Sequence, residues 1–452
     1  MKILIAGSGK VGETLVEQLS AEGYNLTVID SDSDTLERIV TQYDVIGLNG
    51  NCASMEVLRQ AGGEKADLMI AATGSDEINL LCCMSVHALN PKIHTVARIR
   101  NPEYTEQAYS MRDVFGLSLA FNPEKQAAQE IERLLKYPAF LKRDSFAKGR
   151  VEIVELKIDE NSKLRGVPLS MLNGIVKCKV LVCVVLRDGN AMIPSGNFTL
   201  QEGDRIFVTA PSYNLTVLLK NLGLMTHKVR KVFLAGGSTI CYYLAEALQS
   251  YMSVTLIEKD LEESRSLAAQ LPDVNVIHGD AGSRPLLESE GLASCDALVS
   301  LTGRDELNMV ISMYGNSYGV PKIVTKMDQV DDAKILEHIP VGSVISPRKL
   351  CCGTIVRYVR AMQKQTSAAR TVHTIADGQA EAMEFVVDEH TLHCGDPLKQ
   401  IKLKKNVLIA CITRAGKIEI PNGDSCFYRG DSVVIVETRD DVILQLNDIF
   451  EE

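Results

Sequence analysis

The chain has 452 residues, more than one ordinary hydrophobic core supports, and at roughly 100–200 residues per domain it is expected to form about three or four lobes. Hydrophobic residues make up 46% and charged residues 23%, and no apolar run approaches the ~20 residues that cross a bilayer, so a membrane-spanning segment is not expected. A formal net charge of -10 opposes nucleic acid and anionic headgroups as partners, since both need lysine and arginine against phosphate.

The N-terminus opens MKILIAGSGKVGETL: a strand (KILIA), glycines at Gly7, Gly9 and Gly12, and a helix with Val11, Leu15 and Leu19 on one face. Only Lys2 precedes the strand, with no apolar signal core and no small-residue cleavage site, so a cytosolic location is expected. In this strand-to-helix context G-x-G-x-x-G is informative. Gly7 permits the tight turn, Gly9 lets a diphosphate approach the backbone, and Gly12 lets helix and strand pack closely. Backbone N–H groups from Ser8 through Lys10 to Val11 would face the phosphates, with the positive end of the helix dipole behind them.

Asp30 ends the next strand, LTVID, where an acid can accept both ribose hydroxyls of an adenosine. No arginine follows at once (Ser31, Asp32, Ser33), which favours NAD over NADP but does not separate NAD from ATP or ADP. The strands VIGLN, LMIAA and HTVAR continue a βαβ rhythm, implying a parallel sheet covered by helices. At the carboxyl ends of these strands stand Asn51, Thr73-Gly74 and Arg98, the last able to take a phosphate in fork geometry or a surface acid. Asp76, Glu77 and Asn79 begin the following helix, where acids also cap and complement the dipole.

After FNPEKQAAQEIERLL, a helix with Pro123 in its first turn, the pattern becomes strand-rich. VEIVELKI, KVLVCVVL and RIFVTA are separated by turn signals, giving a small α+β module from Arg150 to about Leu222.

The chain then repeats itself. ADLMIAATGSDEINLL (Ala66 to Leu81) matches CDALVSLTGRDELNMV (Cys295 to Val310) at six of sixteen positions, and IPSGNFTLQEGD (Ile193 to Asp204) pairs with IPNGDSCFYRGD (Ile420 to Asp431). Two duplicated halves follow, about 1 to 228 and 229 to 452, the second small module running from Thr371 to Glu452. In the second glycine loop Gly236 and Gly237 survive, but Ser238 takes the phosphate-approach position and Cys241 the helix-packing position, with Thr239 and Ile240 between them. Glu258 stands for Asp30, Asp280 for Asn51, Thr302-Gly303 for Thr73-Gly74, and Lys326 for Arg98. Altered nucleotide binding is expected there.

The twelve cysteines, including the pairs Cys82-Cys83 and Cys351-Cys352, contain no C-x-x-C and are read as buried thiols. His390, His393 and Cys394 lack a second ligand group at finger-like spacing, so no metal is expected. No nucleophile elbow or Walker lysine loop is present, and the small modules share no histidine to serve a nicotinamide. A non-enzymatic sensor is therefore expected, the alternative being an NAD-dependent oxidoreductase.

MKILIAGSGKVGETL, LTVID, GNCAS, ATGSDEINLL, TVARIRNPEY, the NPE-initiated helix and IPSGNFTLQEGD together resemble RCK (KTN) domains, in the tandem form that regulates Trk-type bacterial potassium uptake. The resemblance covers essentially the whole chain. It implies an α/β fold with two Rossmann-like RCK-N lobes (1–124 and 229–347), each followed by a crossover helix and a small α+β RCK-C lobe (125–228 and 348–452). It also implies a homotetrameric gating ring, peripheral on the cytoplasmic face of the inner membrane, that docks on the potassium-conducting membrane subunit and responds to NAD(H) and ATP or ADP. The apolar faces of Asn122 to Leu135 and Pro347 to Met362 are expected to be buried between copies in that ring.

Overall fold

The computed structural model describes residues 1–224, 228–328, 339–362, 369–438, 443 and 445–451. Its first lobe is built from β1 (Lys2–Ala6), β2 (Asn25–Asp30), β3 (Ile46–Asn49), β4 (Leu68–Ala71), β5 (His94–Arg98) and β6 (Leu119–Phe121). All pairs are parallel, in the order β3-β2-β1-β4-β5-β6. β4 throughout and β1 from Ile3 to Ala6 are buried, as central strands covered on both faces must be, which is why they read as unbroken apolar runs. The strand order reverses between β1 and β4, so a crevice opens at their carboxyl ends. The sixth strand was not expected: at three residues, LAF lacks a readable period.

A small antiparallel sheet follows, from β7 (Lys142–Phe146), β8 (Val151–Lys157), β9 (Leu181–Arg187), β10 (Asn190–Met192) and β11 (Arg205–Pro211), in the order β10-β9-β11-β8-β7. It begins before Arg150, because the charged run KRDSF pairs as an edge strand despite its polarity.

Both sheets then recur. β12 (Lys231–Ala235), β13 (Ser253–Glu258), β14 (Asn275–His278), β15 (Ala297–Ser300), β16 (Lys322–Lys326) and β17 (Ser343–Ile345) repeat the parallel order as β14-β13-β12-β15-β16-β17. β18 (Thr371–Ile375), β19 (Ala380–Val386), β20 (Val407–Arg414), β21 (Lys417–Glu419) and β22 (Ser432–Thr438) repeat the antiparallel order as β18-β19-β22-β20-β21. The α/β class with two Rossmann-like repeats and two small lobes is the observed architecture.

The chain forms two compact units, Met1–Gln129 with Ser346–Tyr358, and Glu130–Ile345 with Val359–Glu452. In the first, the early turns of the helix Pro347–Met362 lie on the first Rossmann-like lobe. The Cys352 thiol donates to Val11 O at 3.6 Å, and Tyr358 Oη stands 3.1 Å from His94 Nδ1. In the second, the end of the helix Pro123–Lys136 reaches the second Rossmann-like lobe, where Tyr251 Oη donates to Glu132 Oε1 at 2.7 Å. Each crossover helix therefore serves the Rossmann-like lobe of the other half.

Also within the second unit, the two antiparallel sheets share one core of Phe146, Ile153, Cys183 and Phe207 with Ile375, Ala382, Cys411 and Val434. Gln379 bridges them, donating to Gly189 O at 2.7 Å and accepting from Ala191 N at 3.0 Å.

This packing corrects the expectation that the crossover faces lie between copies. Ile131, Leu134 and Leu135, and likewise Cys351, Cys352, Ile355 and Val359, are buried inside the single chain. An amphipathic helix has one apolar stripe, and here it is already covered. Nine of the twelve cysteines, both adjacent pairs among them, are buried free thiols as expected; Cys178 and Cys426 are partly exposed and Cys394 is exposed, which corrects the reading for those three. Among the described residues no helix is long and apolar enough to cross a membrane.

Candidate functional site

The three glycines of the first loop have three separate causes. Gly7 has φ +96°, and a Cβ there would stand 2.9 Å from Ala72 O and Thr73 N, so the turn and its seat against the end of β4 both require glycine. A Cβ on Gly12 would fall 1.9 Å from Gly7 O, so the helix Lys10–Ala21 approaches the loop as only glycine allows. Gly9 differs. Its φ of -66° suits any residue, and a Cβ there would meet no protein atom within 4 Å. Neither backbone strain nor internal packing accounts for glycine at the mouth of the helix, where N–H groups and the helix dipole favour an anion.

Asp30 faces this loop from the end of β2. Its Oδ2 accepts from Ser8 N at 2.5 Å and from Ser8 Oγ at 2.6 Å, and its Oδ1 accepts from Asp32 N at 2.9 Å. A carboxylate has about four acceptor positions, so Oδ1 retains one, and accepting two ribose hydroxyls requires Ser8 Oγ to turn away. Ser8, read from the sequence as an N–H donor to phosphate, instead gives that N–H to Asp30; it is fully buried and bonds the same carboxylate through its side chain.

Across the crevice, the duplicated T-G-x-D-E-x-N stretch is largely a brace. The buried Asn79 accepts from Thr73 N at 2.8 Å and from Thr73 Oγ1 at 2.7 Å, and donates to Arg98 O at 2.9 Å, tying the end of β4 to the end of β5. Asp76 accepts from Arg100 N and Asn101 N, both at 2.8 Å, and so holds the loop after β5. Gly74, like Gly9, has no protein atom within 4 Å of an added Cβ. Asn51 makes a local turn, accepting from Ala53 N at 3.0 Å. The Arg98 guanidinium meets Glu124, in the first turn of the helix Pro123–Lys136, at 2.7 Å. The surface acid is thus its partner here, although this pair is largely shielded from solvent.

The second lobe reproduces the frame with different side chains. Gly236 has φ +106° and sits against Thr302, whose N and Oγ1 bond Asn308 Oδ1 at 2.8 and 2.7 Å. Glu258 accepts from Gly237 N at 2.5 Å and from Asp260 N at 2.7 Å, the same two loop positions that hold Asp30. Lys326 Nζ donates to Thr302 O at 3.1 Å, which places this cation at the switch point. Asp280 turns its loop by accepting from Gly282 N at 2.8 Å; that bond and Lys259, 3.2 Å away, hold its carboxyl below the usual range. Ser238 precedes the helix Thr239–Leu248, in which Ile240 and Cys241 are buried; burial pushes the Cys241 thiol up to about 12, so it is an inert packing group. The structure therefore gathers Gly7 to Gly12, Asp30, Thr73 and Gly74 around one crevice. Its repeat gathers Gly236 to Ile240, Glu258, Thr302, Gly303 and Lys326 around another.

Among the described residues no group of three or more histidine, cysteine or carboxylate side chains is arranged to hold a metal. His393, from the stretch considered above, lies 3.1 Å from Asp396 in an exposed turn.

The TrkA-N domain family matches residues 3–120 and 232–347, which together exceed half of the chain, and the TrkA-C domain family matches residues 153–223. A Trk system potassium uptake protein TrkA homolog of Archaeoglobus fulgidus is 31% identical over 443 residues, covering 98% of both chains. The chain belongs to the TrkA family. A TrkA of Halomonas elongata is 30% identical over 440 residues, covering 96% of this chain and 95% of that one. Among solved structures, the GsuK channel bound to NAD aligns with a TM-score of 0.62 at 16% identity, over 97% of this chain and 77% of that chain, a likeness of fold. The two TrkA-N matches fall on the two parallel sheets, and the TrkA-C match spans most of the first antiparallel sheet.

At the TrkA-N crevice the sequence did not single out Glu124, and it named Asn79 without its bracing role. Glu124 gave no signal, since the partner of Arg98 is decided by tertiary packing. The bracing role of Asn79 was readable, because its duplicate Asn308 keeps the spacing to the threonine.

Proposed function

We propose that this chain is the regulatory subunit of a Trk-type potassium uptake system, binding NAD(H) or ATP/ADP in its Rossmann-like lobes and altering the conductance of the membrane subunit it touches. Family membership supports the potassium-transport role. The observation that carries the nucleotide reading is Gly9, a glycine that neither the backbone nor the packing of the protein requires, beside a carboxylate fixed over the same loop.

Four lobes, 1–124, 125–228, 229–347 and 348–452, carry this function. The chain acts from the cytoplasmic face of the inner membrane as a homotetramer, and it is not an enzyme. Such a subunit works by differential affinity: a nucleotide that prefers one lobe arrangement shifts the population, and the attached channel reads the shift.

The test is calorimetric titration of the full chain with NADH, NAD+, ATP and ADP, together with sedimentation of membranes that contain or lack the transporter. Binding of at least one nucleotide and transporter-dependent sedimentation are expected. Absence of both, or turnover of the nicotinamide with a substrate, would overturn the reading.

A further inference from the structure

We propose that Ser8 and Gly237 are positioning residues matched to the length of the acid facing them, so that Ser8 with Asp30 and Gly237 with Glu258 are interchangeable pairs that hold the carboxylate at one place over the glycine loop. This rests on the nucleotide reading above and adds what sets the position of its ribose-facing group.

Both carboxylates are anchored alike. One oxygen takes the N–H of the residue after the first loop glycine, and the other takes the N–H two residues beyond the acid. Yet one acid is a methylene longer. In the first lobe the room is filled by the Ser8 side chain, whose Oγ bonds the same Oδ2 as its own N–H, at 2.6 Å. In the second, the longer acid occupies that room. A Cβ on Gly237 would stand 2.7 Å from Glu258 Oε2, 2.8 Å from its Cγ and 2.8 Å from Leu267 Cδ1. Gly237 is absent from the positive-φ residues, so its backbone does not require glycine; the side chains opposite do, Glu258 with two atoms and Leu267 with the end of a flexible chain. Asp30→Glu in the first lobe would drive its carboxylate into Ser8, and Gly237→Ser in the second would drive a side chain into Glu258.

The experiment titrates full-length protein with ATP and 2′-deoxy-ATP, using a Glu258→Ala background to read the first lobe and an Asp30→Ala background to read the second. Asp30→Glu alone is expected to weaken ATP more than about tenfold and to flatten the preference for ATP over 2′-deoxy-ATP, with Ser8→Gly added restoring both to within about threefold, as contacting residues couple. Gly237→Ser and its rescue by Glu258→Asp should behave likewise in the second lobe. A merely structural role would not move the ribose preference. The proposal is overturned if the double variant binds no better than the single one, or if the preference is unchanged by Asp30→Glu. If the unsubstituted chain binds no nucleotide, the nucleotide reading fails by itself, and thermal midpoints then decide the pairing: recovery in the double variant supports it and additive losses overturn it.

Discussion

Gly9 and Gly12 stand three residues apart in one motif, yet the structure separates their jobs. Gly12→Ala puts a methyl 1.9 Å from Gly7 O, so the loop must shift; a lowered thermal midpoint and weakened nucleotide binding are both expected. A Cβ at Gly9 meets no protein atom within 4 Å, so in Gly9→Ala binding should fall while the midpoint moves by no more than the modest loss of a helix-cap preference, about 1 kcal/mol or less. Equal midpoint losses in the two variants would contradict this division. Asp30→Ala removes a charged acceptor worth about 1.5–3 kcal/mol per hydrogen bond and should weaken adenosine nucleotides at the first lobe more than about tenfold by calorimetry. These positions were legible in the sequence because a strand, three glycines and an acid keep a fixed order. The role of the Ser8 side chain was not, since it acts only through Asp30, 22 residues away.

Among elements, the end of the first crossover helix and the start of β16 in the second parallel sheet carry two buried titratable groups of opposite kind. Burial first, then the neighbouring Asp144, pushes the Glu130 carboxyl up to about 7, against Arg133, Lys142 and Arg143. Burial pushes Lys322 down to about 7, against Glu155; its Nζ donates to Phe140 O at 2.7 Å and Ser343 Oγ at 2.9 Å. Glu130, raised above its unfolded value of ~4.3, contributes stability that is complete below that pH and lost as pH rises to about 7. Lys322, depressed from ~10.4, contributes stability present above that pH and lost as pH falls to about 7. Relative to wild type, Glu130→Gln should therefore remove a fall in thermal midpoint between about pH 5 and 7, and Lys322→Met a rise between about pH 7 and 10. Midpoint curves that stay parallel to wild type would refute both assignments. Ile131→Asp buries an unpaired charge in the same helix and should abolish folding of the chain, seen as loss of the cooperative thermal transition, instead of releasing intact subunits. The long parallel strands were readable because burial on both faces leaves unbroken apolar runs. The edge strands β6, β7 and β10 were not, being short or charged, and neither was the service of each crossover helix to the opposite half, which is decided by contacts more than a hundred residues apart.

For the whole molecule, duplication explains both what the halves share and where they differ. The frame of turn glycine, threonine and bracing asparagine is kept twice, while Gly9 becomes Ser238, Gly12 becomes Cys241 and Arg98 becomes Lys326. Two like frames with unlike linings suit a sensor that weighs ligands against each other better than two copies of one catalyst. If both lobes bind, saturating nucleotide at a hundredfold excess over Kd should stabilise the chain by about 2.7 kcal/mol per site, and Asp30→Ala should retain the share of the second lobe. No residual shift in that variant would leave the first lobe as the working site. The central claim is that this chain converts nucleotide binding into potassium conductance, and it is tested most directly by potassium flux through the membrane subunit reconstituted in liposomes, with and without this chain and with each nucleotide in turn. Flux that changes when the chain is added, and changes again with a nucleotide in wild type but not in a variant lacking both Asp30 and Glu258 carboxylates, is the expected result. Flux that stays the same in every combination, while the two proteins demonstrably bind each other, would contradict it.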